Sequence, residues 1–304
     1  MNYIHQPGDP QARPPYTAQN VLMQGGFLKA DTASLQKLVD LVLNQVDPDV
    51  RFTVATDRVL FAGLYEAKMR SADPQDAKFG YVIESDIGLW IATWGGRKGE
   101  APGLRWMPAF VFVDSVTALM TGRELYGYPK QQGRMIRNAV GDPDFTVDLK
   151  VICFAAPGPN QPAQSLTLLE VQRMAGGAPA SVELSALADY IRGPVIAGAP
   201  ASNAPDAAKA LGGLVPPFLG MPMVFLRQMR DVASLDAAQV QEIATVTVQP
   251  THTAGGGPAP AHHVTFPDVA SFPIASTLGC ASDVDFEAPF WLRMDFKVGV
   301  GQRI

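Results

Sequence analysis

The chain is poor in three features that would each assign it to a class of protein: cysteine, long apolar runs and excess positive charge. It has only two cysteines in 304 residues, Cys153 and Cys280, far apart and each in an apolar setting. Two such cysteines make no disulfide framework and indicate free thiols in a reducing cytoplasm. No apolar run approaches the roughly 20 residues that cross a bilayer, so no membrane association is expected.

Charge is scarce and slightly negative. The chain has 24 basic and 29 acidic residues, a formal net charge of −5, and only 17% of its residues are charged. A nucleic-acid-binding protein normally carries a clustered basic excess, so no nucleic-acid partner is expected. With 47% hydrophobic residues, the chain has enough apolar side chains for a sizeable core.

Glycine and proline, by contrast, are abundant, and they separate many short apolar runs. The 28 glycines and 26 prolines form no repeat, which is typical of strands joined by turns. Regular crossover helices are missing between the runs, so a mainly antiparallel α+β fold is predicted. The predicted strands are Arg51–Thr56, Val59–Ala67, Phe79–Glu84, Leu89–Trp94, Met107–Val113, Arg134–Val140, Phe145–Phe154, Ser165–Val171, Met223–Met229, Glu242–Val248, Val264–Phe266 and Phe290–Val298. The predicted helices are Thr32–Asn44 capped by Asp31, Ser115–Glu124 capped by Asp114, Glu183–Ile191 and Asp206–Leu211.

One short segment carries most of the chemical information: Gly-Arg-Glu-Leu-Tyr-Gly-Tyr-Pro-Lys, which ends at Lys130. Pro129 cannot continue a helix, so Lys130 is expected on a loop, residues 125–132, beside Tyr126 and Tyr128. A lysine amine is a nucleophile only when unprotonated, and apolar surroundings disfavour the ammonium form. Taken alone, this pattern also fits a lysine on the surface.

This segment resembles the active-site segment of the acetoacetate decarboxylases, which reads Gly-Arg-Glu, a short spacer, then aromatic-Pro-Lys-Lys. The likeness extends from about Gly26 to Val248, and the Lys130 segment is its most specific part. The weaker matches are Ala109–Ser115, Val82–Ser85, Phe225–Asp231 and Ile243–Val248.

The resemblance implies a mainly antiparallel sheet that closes into a cone-like β-barrel with a few peripheral helices. An extended N-terminal arm, residues 1–24, would precede an acetoacetate decarboxylase-like domain, residues 25–304. Lys130 would form an imine with a ketone, and Glu84 would handle protons or orient the substrate. The implied substrate-binding residues are Tyr128, Tyr126, Phe112, Val113 and Arg123.

The sequence departs from the family at three places. Gln131 replaces the second lysine, Ala62 stands where the decarboxylases carry a glutamate, and residues 20–27 contain no arginine. Three hypotheses therefore stay open. The first is decarboxylation of a small β-keto acid, and the second is aldolase–dehydratase or hydratase chemistry on a keto acid, with an aldehyde as possible co-substrate. The third is a barrel that binds a small molecule without catalysis.

No metal and no cofactor are expected. His252, His262 and His263 lie in a stretch rich in Gly, Pro and Ala, where solvated or turn histidines are typical. No acidic or cysteine ligand recurs near them at helical spacing. We also expect a homo-oligomer, whose number of subunits the sequence does not give.

Overall fold

The computed structural model describes residues 12–176, 184–199, 220–234 and 236–304. In chain order its strands are β1 (Tyr16–Lys29), β2 (Val50–Ser71), β3 (Val82–Arg97), β4 (Gly103–Val113), β5 (Lys130–Gln132), β6 (Arg134–Arg137), β7 (Val147–Cys153), β8 (Gln164–Arg173), β9 (Met221–Arg230), β10 (Ala238–Pro258), β11 (His262–Thr265), β12 (Asp283–Asp285), β13 (Glu287–Val298) and β14 (Gln302–Arg303). Its helices are α1 (Thr32–Val42), α2 (Val116–Thr121), α3 (Leu184–Ala197) and α4 (Ile274–Leu278). A 3-10 turn spans Ala77–Phe79, and a π-helical turn spans Gly122–Tyr126.

Within the described residues, seven strands form a closed ring. Their order is β13, β1, β2, β3, β4, β9 and β10, and β10 pairs back with β13. Neighbours in the ring are antiparallel except β4 and β9, and β5 adds to β4 in parallel. The predicted mainly antiparallel α+β fold is confirmed, and its closure takes the form of this ring. No helix among the described residues is both long and apolar enough to cross a membrane.

The second sheet packs against the outside of the ring. Its strand order is β12, β11, β8, β7 and β6, all antiparallel. Successive residues of a strand point to opposite faces, so Phe61 on β2 packs outward against this sheet while Ala62 points into the ring. Two separate apolar clusters result, one inside the ring and one between the ring and the second sheet.

Several segments differ from the sequence-based expectation. The predicted arm is too long, because Tyr16 to Gln24 belongs to β1, where Val21 and Leu22 are buried between β2 and β13. The two strands predicted between Arg51 and Ala67 form one strand, because β2 continues through irregular pairing with β3.

The cap of one helix and the position of one predicted loop also differ from the sequence-based expectation. Ser115, not Asp114, caps α2, and its side chain accepts a hydrogen bond from the Ala118 amide. Lys130 lies on strand β5 and not on a loop, because its backbone pairs with Val111. The predicted helix at residues 206–211 lies outside the described residues.

The contact between the sheets depends on Phe61, which has no exposed surface. Its ring centroid lies 5.2 Å from that of Phe286 and 6.3 Å from that of Phe145. We expect Phe61→Ala to lower the free energy of unfolding by about 3–5 kcal/mol, because it removes buried contacts and leaves a cavity. Urea unfolding checks this, with Ile152→Ala, an exposed apolar residue on β7, as the control. A loss under about 1 kcal/mol would contradict this packing.

Candidate active site

A cavity of about 240 Å³ lies inside the ring, and Lys130 is part of its wall. Four residues singled out from the sequence meet there: Lys130, Glu84, Tyr126 and Tyr128. They come from separate stretches of chain, because Glu84 lies on β3, the tyrosines lie at the end of the π-helical turn, and Lys130 begins β5.

Backbone pairing holds Lys130 at this position. Lys130 pairs with Val111 in the parallel β4–β5 contact, and its carbonyl oxygen accepts a hydrogen bond of 3.0 Å from Arg123 Nη1. Only 7% of Lys130 is exposed. Among the residues that the structure describes, none places a carboxylate oxygen within 4.0 Å of its amine. Lys130 is therefore a buried amine without an ion-pair partner in the described part of the chain.

Two glycines explain why the motif needs residues without a side chain. A Cβ atom on Gly122 would lie 2.7 Å from Lys130 Cδ and 3.0 Å from Cε, so the lysine stem runs directly against this backbone. Gly127 has a φ of +89° and touches the backbone of Leu226 and Arg227 on β9. A larger residue at Gly127 would be strained and would collide with β9.

The two tyrosines form part of the wall around the amine. The Tyr128 ring centroid lies 5.2 Å from Lys130 Nζ, and its hydroxyl donates a hydrogen bond to Met223 Sδ at 3.4 Å. The Tyr126 hydroxyl donates to the Gly299 carbonyl oxygen at 2.9 Å. Burial raises the pKa of both tyrosines, so both stay protonated at neutral pH.

Two acidic side chains from β3 share the cavity with the amine. Glu84 and Asp86 are separated by one residue and so point to the same face of the strand. The backbone of Ser85, between them, is fixed from outside the cavity, because its amide donates a hydrogen bond of 2.8 Å to Asp114 Oδ1.

Burial sets the ionisation of both acids. It raises the pKa of Glu84 above its usual range, against the opposing effect of the positive charge on Lys130. Burial likewise raises the pKa of Asp86, to about 7. Asp86 keeps some accessible surface, but this surface faces a cavity whose described lining is mostly apolar and offers its charge few polar partners. The cavity therefore contains one carboxyl group, that of Asp86, that is protonated over part of the physiological pH range, and a second, that of Glu84, whose pKa is shifted in the same direction.

Asp86 was not predicted from the sequence. Asp86 fell between two predicted strands, Phe79–Glu84 and Leu89–Trp94, whereas the structure has one continuous strand, Val82–Arg97. The signal that could have found it is the alternation Val82, Glu84, Asp86, which marks one face of a single strand.

Three residues predicted to bind substrate do not line the cavity. Phe112 lies on the outer face of β4, where its ring centroid is 6.0 Å from that of Phe272. Val113 points into the ring but is fully buried in its core away from the cavity wall. Neither residue lines the cavity as predicted: Phe112 faces outward because consecutive strand residues face opposite ways, and Val113, although on the inner face, is not part of the described lining. Arg123 is exposed and supports the backbone of Lys130 instead of facing the cavity.

The structure shows where the residues that depart from the family pattern lie relative to the cavity. Ala62 lines the cavity, so the wall is apolar at that point. Gln131 is exposed, because it follows Lys130 on β5 and points to the opposite face. Arg134, the next cation along the chain, is also exposed. Arg70 is the basic side chain that joins Lys130 in the described cavity wall, on the same strand as Ala62.

Of the three histidines considered in the sequence, His252 is exposed as expected, whereas His262 is placed differently. His262 is not solvated: it is fully buried on β11, stacked on Phe145 at a centroid distance of 3.8 Å. Its Nε2 accepts a hydrogen bond from the Phe145 amide at 3.2 Å, and its Nδ1 lies 2.7 Å from the Pro260 carbonyl oxygen. In the described part of the chain, no three His, Cys, Asp or Glu residues are grouped so as to hold a metal ion.

Comparison with known proteins identifies the fold but no sequence relative. No family model and no curated protein matches the chain. Acetoacetate decarboxylase from Legionella pneumophila subsp. pneumophila str. Philadelphia 1 superposes with a TM-score of 0.61 at 14% identity, over 100% of this chain and 97% of that one. An acetoacetate decarboxylase-like enzyme from Sphingomonas wittichii RW1 gives 0.61 at 16% identity, over 100% and 98%. The enduracididine biosynthesis enzyme MppR gives 0.51 at 11% identity, over 97% and 89%. The resemblance seen in the sequence is confirmed at the level of the fold.

Contact between Gly122 and the lysine stem predicts a specific coupling. We expect Gly122→Ala to lower the free energy of unfolding by about 1–3 kcal/mol, because the new methyl group overlaps Lys130 Cδ. In a Lys130→Ala background the same change should be nearly neutral, since Cδ and Cε are gone. Urea unfolding of the double-mutant cycle measures this coupling, with Gly193→Ala, whose Cβ meets nothing within 4 Å, as the control. Equal losses in both backgrounds would contradict the contact.

The raised pKa of Asp86 predicts how stability depends on pH. The folded state holds this proton up to about pH 7, while the unfolded chain releases it near 3.8. The contribution is therefore fully present below about 3.8, declines by up to about 1.4 kcal/mol per pH unit, and is lost above about 7. Asp86→Asn removes this dependence, so the variant should gain stability relative to the natural protein as pH rises through this window. Thermal or urea unfolding between pH 4 and 8 checks this, with exposed Asp268→Asn as the control. A difference that does not change with pH would contradict a shifted Asp86.

Proposed function

Given the acetoacetate decarboxylase-like fold, we propose that this protein is an enzyme that forms a Schiff base between Lys130 and the ketone of a keto acid. The observation that carries the proposal is the buried, unpaired Lys130 amine, enclosed with Glu84 and Asp86 in one cavity. A lysine that served only the fold would ordinarily reach solvent or pair with a carboxylate. The third hypothesis, binding without catalysis, is the less favoured for this reason.

The proposed reaction starts with attack of Lys130 Nζ on the ketone carbon. Loss of water gives a protonated imine, which can accept an electron pair. With a β-keto acid, the bond to the carboxylate breaks, its electron pair moves toward the imine nitrogen, and CO₂ leaves. The resulting enamine takes up a proton on carbon, and water hydrolyses the imine to free the ketone and Lys130.

The carboxyl groups on β3 supply and accept the protons in this scheme. Asp86, with a pKa of about 7, can exist in both protonation states near neutral pH. Glu84, also with a raised pKa, is the second proton-handling or orienting group. A neutral carboxyl group beside an amine can donate a proton without holding that amine in an ion pair. Tyr128 and Tyr126 contact the substrate through the rings that line the cavity.

A second candidate is aldol addition followed by dehydration through the same imine. Ala62 favours it, because the decarboxylase pattern has a glutamate where this cavity wall is apolar. In this reaction the enamine attacks an aldehyde, and water is then eliminated. The MppR enzyme, which shares this fold, has been solved in complex with pyruvate, a small keto acid. Asp86 favours the first candidate, because it supplies a second carboxyl group from the strand next to Ala62.

We also propose a homo-oligomer located in the cytoplasm. Both cysteines are free thiols, as in proteins of a reducing compartment. Phe79, Tyr81 and Ile83 are 71%, 56% and 55% exposed within five residues of chain, and the first two also line the cavity. An exposed apolar cluster of this kind is typical of a surface that another subunit covers.

Borohydride trapping tests the imine directly. With a keto acid present, reduction should add the mass of the reduced adduct to the peptide that contains Lys130, because borohydride converts the imine to a stable amine. Lys130→Met should abolish the adduct, whereas Lys150→Met on the second sheet should leave it unchanged. Labelling at another lysine, or no labelling across a panel of keto acids, would refute the proposal. Measuring CO₂ and aldol products in parallel then separates the two candidate reactions.

A further inference from the structure

The cavity has two chemically different sides. All the acidic groups in its described lining, and the Lys130 amine, come from β3, β5 and the segment between β2 and β3. The strands β9, β10 and β13 contribute only apolar side chains to the described lining. We call these residues the apolar wall: Met221, Met223, Val248, Met294, Phe296 and Val298.

Ring order places the two sides opposite each other. Counting round the seven strands in either direction, β10 and β13 are the strands farthest from β3. Glu84 and Asp86 on β3 therefore face the β10 and β13 part of the apolar wall across the cavity. The β9 part lies nearer the amine, since Met223 Sδ accepts the hydrogen bond from Tyr128. A molecule bound to the amine has its reacting end on the polar side and its remaining end toward the apolar wall.

The apolar wall suits a flexible or aromatic hydrocarbon group. Three of its six members are methionines, and Met23 and Met69 also line the cavity. Methionine side chains adapt to irregular apolar shapes and make favourable contacts with aromatic rings. The cavity of about 240 Å³ has room for roughly eight groups of water size. Acetoacetate carries only a methyl group beyond its ketone, so it would leave most of the apolar wall without contact.

We propose that the apolar wall binds the hydrocarbon tail of the substrate, so that this enzyme acts on keto acids with an extended alkyl or aryl tail in preference to acetoacetate. This inference rests on the proposed imine chemistry at Lys130 and adds the substrate class to it. Each methylene buried against the wall should improve binding about fourfold. Preference therefore rises with tail length until the wall is covered.

A series of 3-oxo acids tests the inference. We expect kcat/KM, measured by CO₂ release, to rise about fourfold per methylene from acetoacetate to 3-oxohexanoate and 3-oxooctanoate. Val248→Phe should reduce the rate with the longest acids more than the rate with acetoacetate, because the larger ring shortens the tail site. Thr247→Phe is the matched control, since Thr247 is the exposed neighbour on the same strand. Equal rates along the series, or the highest rate with acetoacetate, would overturn the inference.

A binding measurement separates this inference from the imine proposal. In Lys130→Met no imine can form, and calorimetry with the same acids then measures the contribution of the tail alone. Affinity that rises with tail length in Lys130→Met, and falls for the longest acid when Val248→Phe is added, supports the tail site even if no adduct can be trapped. Affinity that does not depend on tail length refutes the tail site, even if Lys130 forms adducts in the natural protein.

Discussion

Enclosing an amine is the constraint on which the rest of this site depends. The parallel pairing of β5 with β4 fixes the backbone of Lys130, and Gly122 gives its stem a path along the π-helical turn. Every other polar group of the cavity must then be compatible with a basic nitrogen that is almost fully buried. Glu84 and Asp86 meet this condition through burial, which favours their neutral forms.

The fold supports this arrangement because the two faces of the ring strands have different structural roles. The inner faces of the ring strands build the cavity, while their outer faces pack against the second sheet. Phe61 and Ala62 illustrate the division, since neighbouring residues of β2 contribute to different clusters. The polar ties between ring and sheet are also outside the cavity. Gln24, for example, is fully buried on β1, and its amide nitrogen donates to the Asp144 carbonyl oxygen at 2.9 Å. The residues that tie the ring to the second sheet are thus different from the residues that line the cavity.

The sequence was most informative where chemistry restricts local residue choice. The segment from Gly122 to Lys130 could be recognised because a turn against β9, a close backbone approach and a lysine each demand particular residues. Strand locations were also largely predictable, since they follow alternation and turn residues. Closure of the sheet was expected only from the family resemblance, because β10 and β13 pair through contacts that no local pattern encodes.

Errors in the predicted site arose from side-chain direction. Assigning both Phe112 and Val113 to the cavity ignored the strand pleat, and ending a strand at Glu84 hid Asp86. His262 was taken for a solvated residue because its flanking prolines and alanines suggest a loop. Its burial depends on Phe145, more than a hundred residues earlier in the chain, and no local pattern contains that partner.

The two sides of the cavity are encoded in separate parts of the chain. The proposed reacting groups Glu84, Asp86 and Lys130 lie between residues 84 and 130, whereas the apolar wall lies between 221 and 298. Substitutions in the later stretch can therefore reshape what the cavity accepts while the reacting groups keep their sequence. This division makes the molecule a suitable starting point for directed evolution. A library of substitutions confined to β9, β10 and β13 would vary substrate selectivity and leave the reacting residues unchanged.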